Sequence, residues 1–182
     1  YMVAALKSAS EIMNDCVEHT YGLFCTVNPK IIRPKIYLST SNEINAVATQ
    51  KDIIVYAGLI CSVIKLINEK YTDEVLDKYD ILKTLSKEEI HSGLRVYTWR
   101  FIVLHELFHI WHSHLAWINK YTINTCGEVE TKTVADTEQK YNEEIFEKVC
   151  SDALSIVSEE DKQRLLTYQA IELDADTCAL SM

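Results

Sequence analysis

The chain has 182 residues, 48% hydrophobic and 25% charged, which suits one globular domain with a substantial core and excludes a disordered or fibrous protein. Eighteen basic residues stand against 27 acidic ones, and the resulting charge of −9 argues against a nucleic-acid surface or adsorption to anionic lipid. No apolar stretch reaches the roughly 18 uninterrupted residues of a membrane span, because the longest, 53–67, is broken by Gly58, Ser62 and Lys65.

The first twenty residues carry Val3, Leu6, Ile12, Met13 and Val17 at helical spacing and predict an amphipathic helix, with Gly22, Pro29 and Pro34 marking its exit. Residues 35–39, 44–48 and 52–56 are short runs rich in β-branched and aromatic residues, separated by Ser, Asn, Thr and Lys. They predict three strands, and antiparallel pairing is expected because no crossover of a dozen residues separates them. Gly58 closes this region and a helix is expected to about Glu69. Residues 71–92 are charged and read as helical in pieces, with Ser86-Lys-Glu-Glu89 having the form of a capped helix start. An apolar helical pattern then runs to about Asn119. Residues 119–140 are polar, contain Gly127, and predict a loop or insertion. Two more helices are expected over 141–157 and 160–181, the second opening acidic, as a helix N-terminus prefers. The expected fold is α+β, a single domain over 1–182, mostly helical with one small, mainly antiparallel sheet.

Cys16, Cys25, Cys61, Cys126, Cys150 and Cys178 are scattered and form no CxxC pair. A domain of this size needs no staples, so they read as reduced thiols of a cytoplasmic protein rather than three disulfides. No segment has the form of a signal peptide. Met182 follows Asp176 by only six residues, so the chain reads as a piece of something longer.

The chemistry concentrates in Leu104-His105-Glu106-Leu107-Phe108-His109-Ile110-Trp111-His112-Ser113-His114. His105 and His109 are four apart, so on a helix they share a face and can pinch one metal ion, with Glu106 beside them as general base. Zinc suits two imidazoles: it is borderline soft, has no redox chemistry and accepts tetrahedral N/O ligation with one open position. Such an ion acidifies water and polarises a carbonyl while Glu106 acts as base and then acid. Two surface histidines and a solvated Glu would be the plain alternative. The core-type flanks, Ile102 to Leu104, Leu107-Phe108 and Ile110-Trp111, weigh against it, since burying His and Glu unpaired is costly.

A third ligand is needed. His112 shares the face but sits roughly 10 Å from His105 along the axis, too far for bonds near 2 Å. The metzincin pattern fails too, because His112 stands at its turn glycine and Leu115 at its third histidine. His112 and His114 therefore read as outer partners or solvent groups. Glu172 and Asp176 are four apart on the last expected helix, with the small Ala175 between them. Glu172 is the better third ligand, and Asp176 can accept a hydrogen bond from the far nitrogen of a ligand histidine. Asp174 falls elsewhere on that helix and reads as surface.

The HExxH helix with a downstream ExxxD resembles the gluzincin metallopeptidases. Ile44-Asn45-Ala46-Val47-Ala48 and then Ile54-Val55-Tyr56-Ala57-Gly58-Leu59 are similar to the segment before the zinc helix in the HtpX-like and CAAX-prenyl-endopeptidase group. His105-Glu-Leu-Phe-His109 with His114 five positions on also fits that group, and the likeness spans roughly 35–182. HtpX-like enzymes carry transmembrane helices, whereas this chain shows no such segment. The soluble phage-exclusion peptidase family, Lit, also resembles the HExxH and E-x-x-A-D pattern. These resemblances imply a zincin-like domain with two zinc-binding helices and one Zn2+ per chain, acting as an endopeptidase on a protein or peptide substrate. They also imply that Asn45, Ala46, Val47 and Ala48 align the substrate in extended form. Gluzincins further use a His, Tyr or Arg to stabilise the oxyanion; the candidates here are Tyr56, Tyr168, His91 and Arg95. The rival expectation is a non-catalytic gluzincin-like sensor or regulatory domain that binds zinc and a protein partner.

Overall fold

The computed structural model describes residues 2–114 and 159–182; the expected loop at 119–140 and helix at 141–157 lie outside them. Helix α1 spans Met2–Phe24. Strands β1 (Lys35–Ser39), β2 (Ala46–Ala48) and β3 (Asp52–Tyr56) follow, then α2 (Ala57–Lys70), the single-turn α3 (Asp73–Leu76) and a 3-10 turn at Asp80–Leu82. The long α4 spans Lys87–Trp111, and α5 spans Glu159–Leu180. The described chain is thus mostly helical with one small sheet, as the α+β expectation has it. Among the described residues no helix is long and apolar enough to cross a membrane.

The sheet is mixed, which corrects the mainly antiparallel expectation. Its order is β1-β3-β2, with β1 parallel and β2 antiparallel to β3. The physical reason lies in residues 40–51. The chain leaves β1, crosses over the end of β3 and returns as β2 on the far side, so the parallel pair needs no crossover helix. Two backbone bonds hold this crossing, Tyr56 N–H to Asn45 O at 3.1 Å and Gly58 N–H to Ser41 O at 3.0 Å. The return is a tight loop in which the Thr49 hydroxyl accepts the Asp52 N–H at 2.9 Å, while Thr49 N–H reaches Asp52 O at 2.8 Å. The strand is also shorter than expected: Ile44 and Asn45 belong to the crossing loop.

Gly58 is where this crossing meets α2. A Cβ there would fall well inside contact distance of the backbone oxygens of Asn42 and Glu43, and backbone cannot move aside as a flexible side chain does. Gly58→Ala is therefore expected to cost about 3 kcal/mol by forcing the crossing loop off α2. Urea denaturation checks this; a loss below about 0.5 kcal/mol would show that the loop yields freely.

Helix α4 is the centre of the molecule, packed by α1, α2, α5, β2 and β3. Its start is the expected capping box: the Ser86 hydroxyl accepts the Glu89 N–H, and the Glu89 carboxylate accepts the Ser86 N–H at 2.7 Å. Val103, Leu104, Leu107 and Ile110 pack with Met13 and Val17 of α1, Val55 of β3 and Ile60 of α2 in one buried cluster. Val3, counted in the helical pattern, is exposed instead, so the packed face of α1 begins near Leu6. On the other side Phe24 stacks edge-on to Phe108, and the Trp111 indole N–H donates to Ile32 O at 2.8 Å. The C-terminal half of α4 is held on every side, and that is the half bearing the histidines.

Candidate metal centre

His105, Glu106 and His109 lie in that clamped half of α4, and α5 crosses beside it. The crossing is close because the stripe of α5 facing the core is small: Ala175 is fully buried and Ala179 nearly so. Helical periodicity then places Glu172 and Asp176 along one flank of that stripe. His105 Nε2 stands 3.0 Å from His109 Nε2, and the Glu172 carboxylate oxygens stand 3.2 Å from the first and 3.3 Å from the second. Ligands of a tetrahedral ion with bonds of about 2.0–2.1 Å are separated by about 3.3 Å, so these three side chains are already spaced for one. Among the described residues Glu172 Oε1 is buried and has no well-formed hydrogen bond, its contact to His109 Nε2 being 3.3 Å. His105, His109 and Glu172 thus form a group that can hold a metal ion.

Each histidine is gripped from behind. His105 Nδ1 donates to Asp176 Oδ1 at 2.8 Å, which turns Nε2 toward Glu172 and His109. His109 Nδ1 lies 3.0 Å from His114 Nδ1, and His114 Nε2 lies 3.1 Å from Asp174 Oδ2. One proton order satisfies this chain: His109 Nδ1–H donates to His114, whose Nε2–H donates to Asp174. Asp174 accepts from His112 as well; it lies at the surface, as read from its position, but it is engaged there by two imidazoles. His114 comes within reach because α4 ends at Trp111 rather than near Asn119. His112 leaves the helix, and Ser113 takes a left-handed conformation, φ 56°, that turns the chain back toward His109. Such a turn favours Gly or Asn, so Ser113 carries no strong sequence signal of it. For Asp174 the missed signal was its pairing with the H-x-H of residues 112–114.

The charges in the cluster are uneven. Burial alone would lower the His105 pKa, but the hydrogen bond to Glu172 and the carboxylates of Glu106 and Asp176 outweigh it and raise it to about 9. Burial would raise Glu172, yet His105 and His109 hold it well below the usual carboxylate range. Burial pushes Glu106 upward, partly offset by the two histidines and by the Ala48 backbone N–H against its carboxylate. His114 is pushed down to about 4, first by burial and then by the neighbouring His109. A raised histidine pKa contributes stability fully present below its unfolded value of 6.5 and lost as pH rises through about 9. The metal-free protein is therefore expected to lose up to about 3 kcal/mol between those limits. Urea denaturation of chelated protein at the two ends checks this, with His105→Gln expected to abolish the slope.

The Ala46–Ala48 strand lies beside α4 at the sheet margin, pairing only with β3 among the described residues. Asn45 O and Thr49 N–H bond toward β3, so by alternation the backbone groups of Ala46 and Ala48 face away from it. Two of these are already used: Asn45 Oδ1 accepts the Ala46 N–H at 2.9 Å, and the Ala48 N–H serves Glu106. Of the oxyanion candidates, His91 sits on α4 roughly 20 Å before His105, bound to Tyr71 O at 2.7 Å, and Arg95 roughly 15 Å before it. Both are too far to serve. Tyr168 lies one turn before Glu172 on the same flank and is buried, and Tyr56 ends β3. The four described cysteines, Cys16, Cys25, Cys61 and Cys178, form no disulfide. No protein-family model, curated protein or solved structure matches the chain.

Proposed function

We propose that this chain is a zinc-dependent endopeptidase of gluzincin type, with His105, His109 and Glu172 as ligands and Glu106 as general base. The observation that carries the reading is the tetrahedral spacing of the two Nε2 atoms and the Glu172 carboxylate beside a buried Glu106 that is not itself part of that group. A bound zinc ion would supply Lewis acidity toward the scissile carbonyl and a water acidic enough to react near neutral pH. Glu106 takes the proton of the attacking water and delivers it to the departing amine. Burial favours this, because it lifts the carboxyl toward a range where it both accepts and returns a proton. Asp176 and His114 engage the Nδ1 atoms, so each Nε2 is the nitrogen aimed inward that a bound ion would take in place of its proton.

A substrate segment in extended form would lie along the outward edge of β2, where the Ala46 carbonyl is its acceptor and Ala48 lies beside Glu106. Tyr168, one turn before Glu172 on α5, and Tyr56, at the end of β3, are the remaining candidate donors for the oxyanion. The test loads the purified chain with zinc, incubates it with folded and unfolded proteins, and reads new N-termini by mass spectrometry. Cleavage that stops on chelation and returns with zinc is the expected outcome. Stoichiometric zinc with no new termini on any substrate would sink the endopeptidase reading and leave a zinc-binding sensor or regulatory domain.

A further inference from the structure

Two pairs of side chains at helical i, i+4 spacing flank the buried stripe of Ile171, Ala175 and Ala179 on α5. Glu172 and Asp176 serve the centre described above. Asp174 and Cys178 lie on the opposite flank, where α4 ends. There a ring nitrogen of His112, a carboxylate oxygen of Asp174 and Cys178 Sγ all lie within 4.8 Å of one another. His112 is placed rather than merely exposed: it caps α4, packs its ring 5.4 Å from that of Phe108, and donates through Nδ1 to Asp174.

A His–Asp pair alone is an ordinary surface contact. The third donor changes the chemistry, because a thiol is a poor hydrogen-bond partner but a strong metal ligand once deprotonated. Imidazole, carboxylate and thiolate together make a borderline-soft set that disfavours calcium and magnesium and suits zinc, with the fourth position open to water. Cys178 Sγ must draw in by up to about 1 Å and the hydrogen-bonded His112–Asp174 pair must open to about 3.3 Å to meet bonds of about 2.0–2.3 Å, shifts within side-chain rotation. The partial exposure of His112 and Asp174 leaves room for it.

We propose that His112, Asp174 and Cys178 form a second site for a borderline-soft divalent cation, separate from the His105–His109–Glu172 centre. The inference does not rest on the peptidase reading, since neither catalysis nor the first centre enters it. It has one structural consequence for that centre. Asp174 Oδ2 also accepts from His114, which supports His109, so an ion on Asp174 competes with that support.

Cobalt(II) titration of the full, reduced, metal-free chain tests the proposal, because the first centre has no sulfur ligand. A thiolate-to-cobalt charge-transfer band in the near ultraviolet that Cys178→Ser abolishes therefore reports the second site, distinct from the other cysteines of the chain. Wild type is expected to bind about two equivalents, with one of them producing the band. Cys178→Ser should bind about one and lose the band, and His112→Asn should weaken the band-forming equivalent at least about tenfold. His105→Ala should lose the other equivalent and keep the band, which separates failure of the first centre from failure of the second. Absence of the band in wild type, its survival in Cys178→Ser, or unchanged affinity in His112→Asn would each overturn the proposal.

Discussion

Glu106→Gln is expected to leave about one zinc bound in the first centre while lowering peptide-bond turnover by about 100- to 10,000-fold. The substitution is isosteric, and its carbonyl can still accept the Ala48 N–H that the carboxylate accepts now. What it removes is the buried carboxylate next to His105 in the chain that is not itself in the ligand group. The variant should also fold at least as well as wild type at neutral pH. Burial raises the Glu106 pKa, so holding the ionised carboxylate inside the fold costs stability above its unfolded pKa, and an amide escapes that cost. A large loss of turnover without loss of metal or stability is the signature of a group kept for chemistry. Metal content by elemental analysis, thermal melting and rates of substrate loss, measured side by side, check the three parts. Full zinc with undiminished turnover would remove Glu106 from the mechanism.

The second large effect is on the metal itself. Glu172→Ala is expected to reduce zinc from stoichiometric to near background after dialysis. It deletes a ligand and leaves the Nε2 atoms of His105 and His109, 3.0 Å apart, without the carboxylate that faces both. Asp176→Asn provides the graded comparison. It keeps an acceptor near His105 Nδ1 but removes the charge, and losing an outer partner of this kind lowers metal affinity by about 10- to 100-fold. Competition against a chelator of known affinity should therefore rank wild type, Asp176→Asn and Glu172→Ala in that order. Glu172→Ala holding zinc as tightly as wild type would transfer the third position to another group and dismantle the gluzincin assignment.

Much of this site was legible without a structure because it is written in one local rule. A helix turns every 3.6 residues, so His105 and His109 had to share a face, as did Glu172 and Asp176, wherever the two helices went. The same kind of local signal marked the capping box at Ser86 and the small Ala175 between Glu172 and Asp176. That α5 brings Glu172 to the Nε2 side of both histidines was an expectation from residue chemistry; the distance of each contact comes from the packing of two helices far apart in sequence.

What sequence alone got wrong or passed over has a common cause. The parallel pairing of β1 with β3 depends on a loop crossing the end of a strand, and Gly58, the residue that makes room for it, looks like any helix-entry glycine. Ser113 carries no composition signal for the left-handed turn that swings His114 behind His109. Asp174 lies at the surface, as its angle on α5 implies, but only the chain reversal after Trp111 supplies the two imidazoles that it meets. Periodicity, capping and ligand spacing are properties of a single element, so the sequence by itself determined which residues stand together on each helix. Strand order and the groups behind the histidines are contacts between distant segments, and these were decided only when the core closed around α4, because burial there selects among arrangements that local geometry leaves equal.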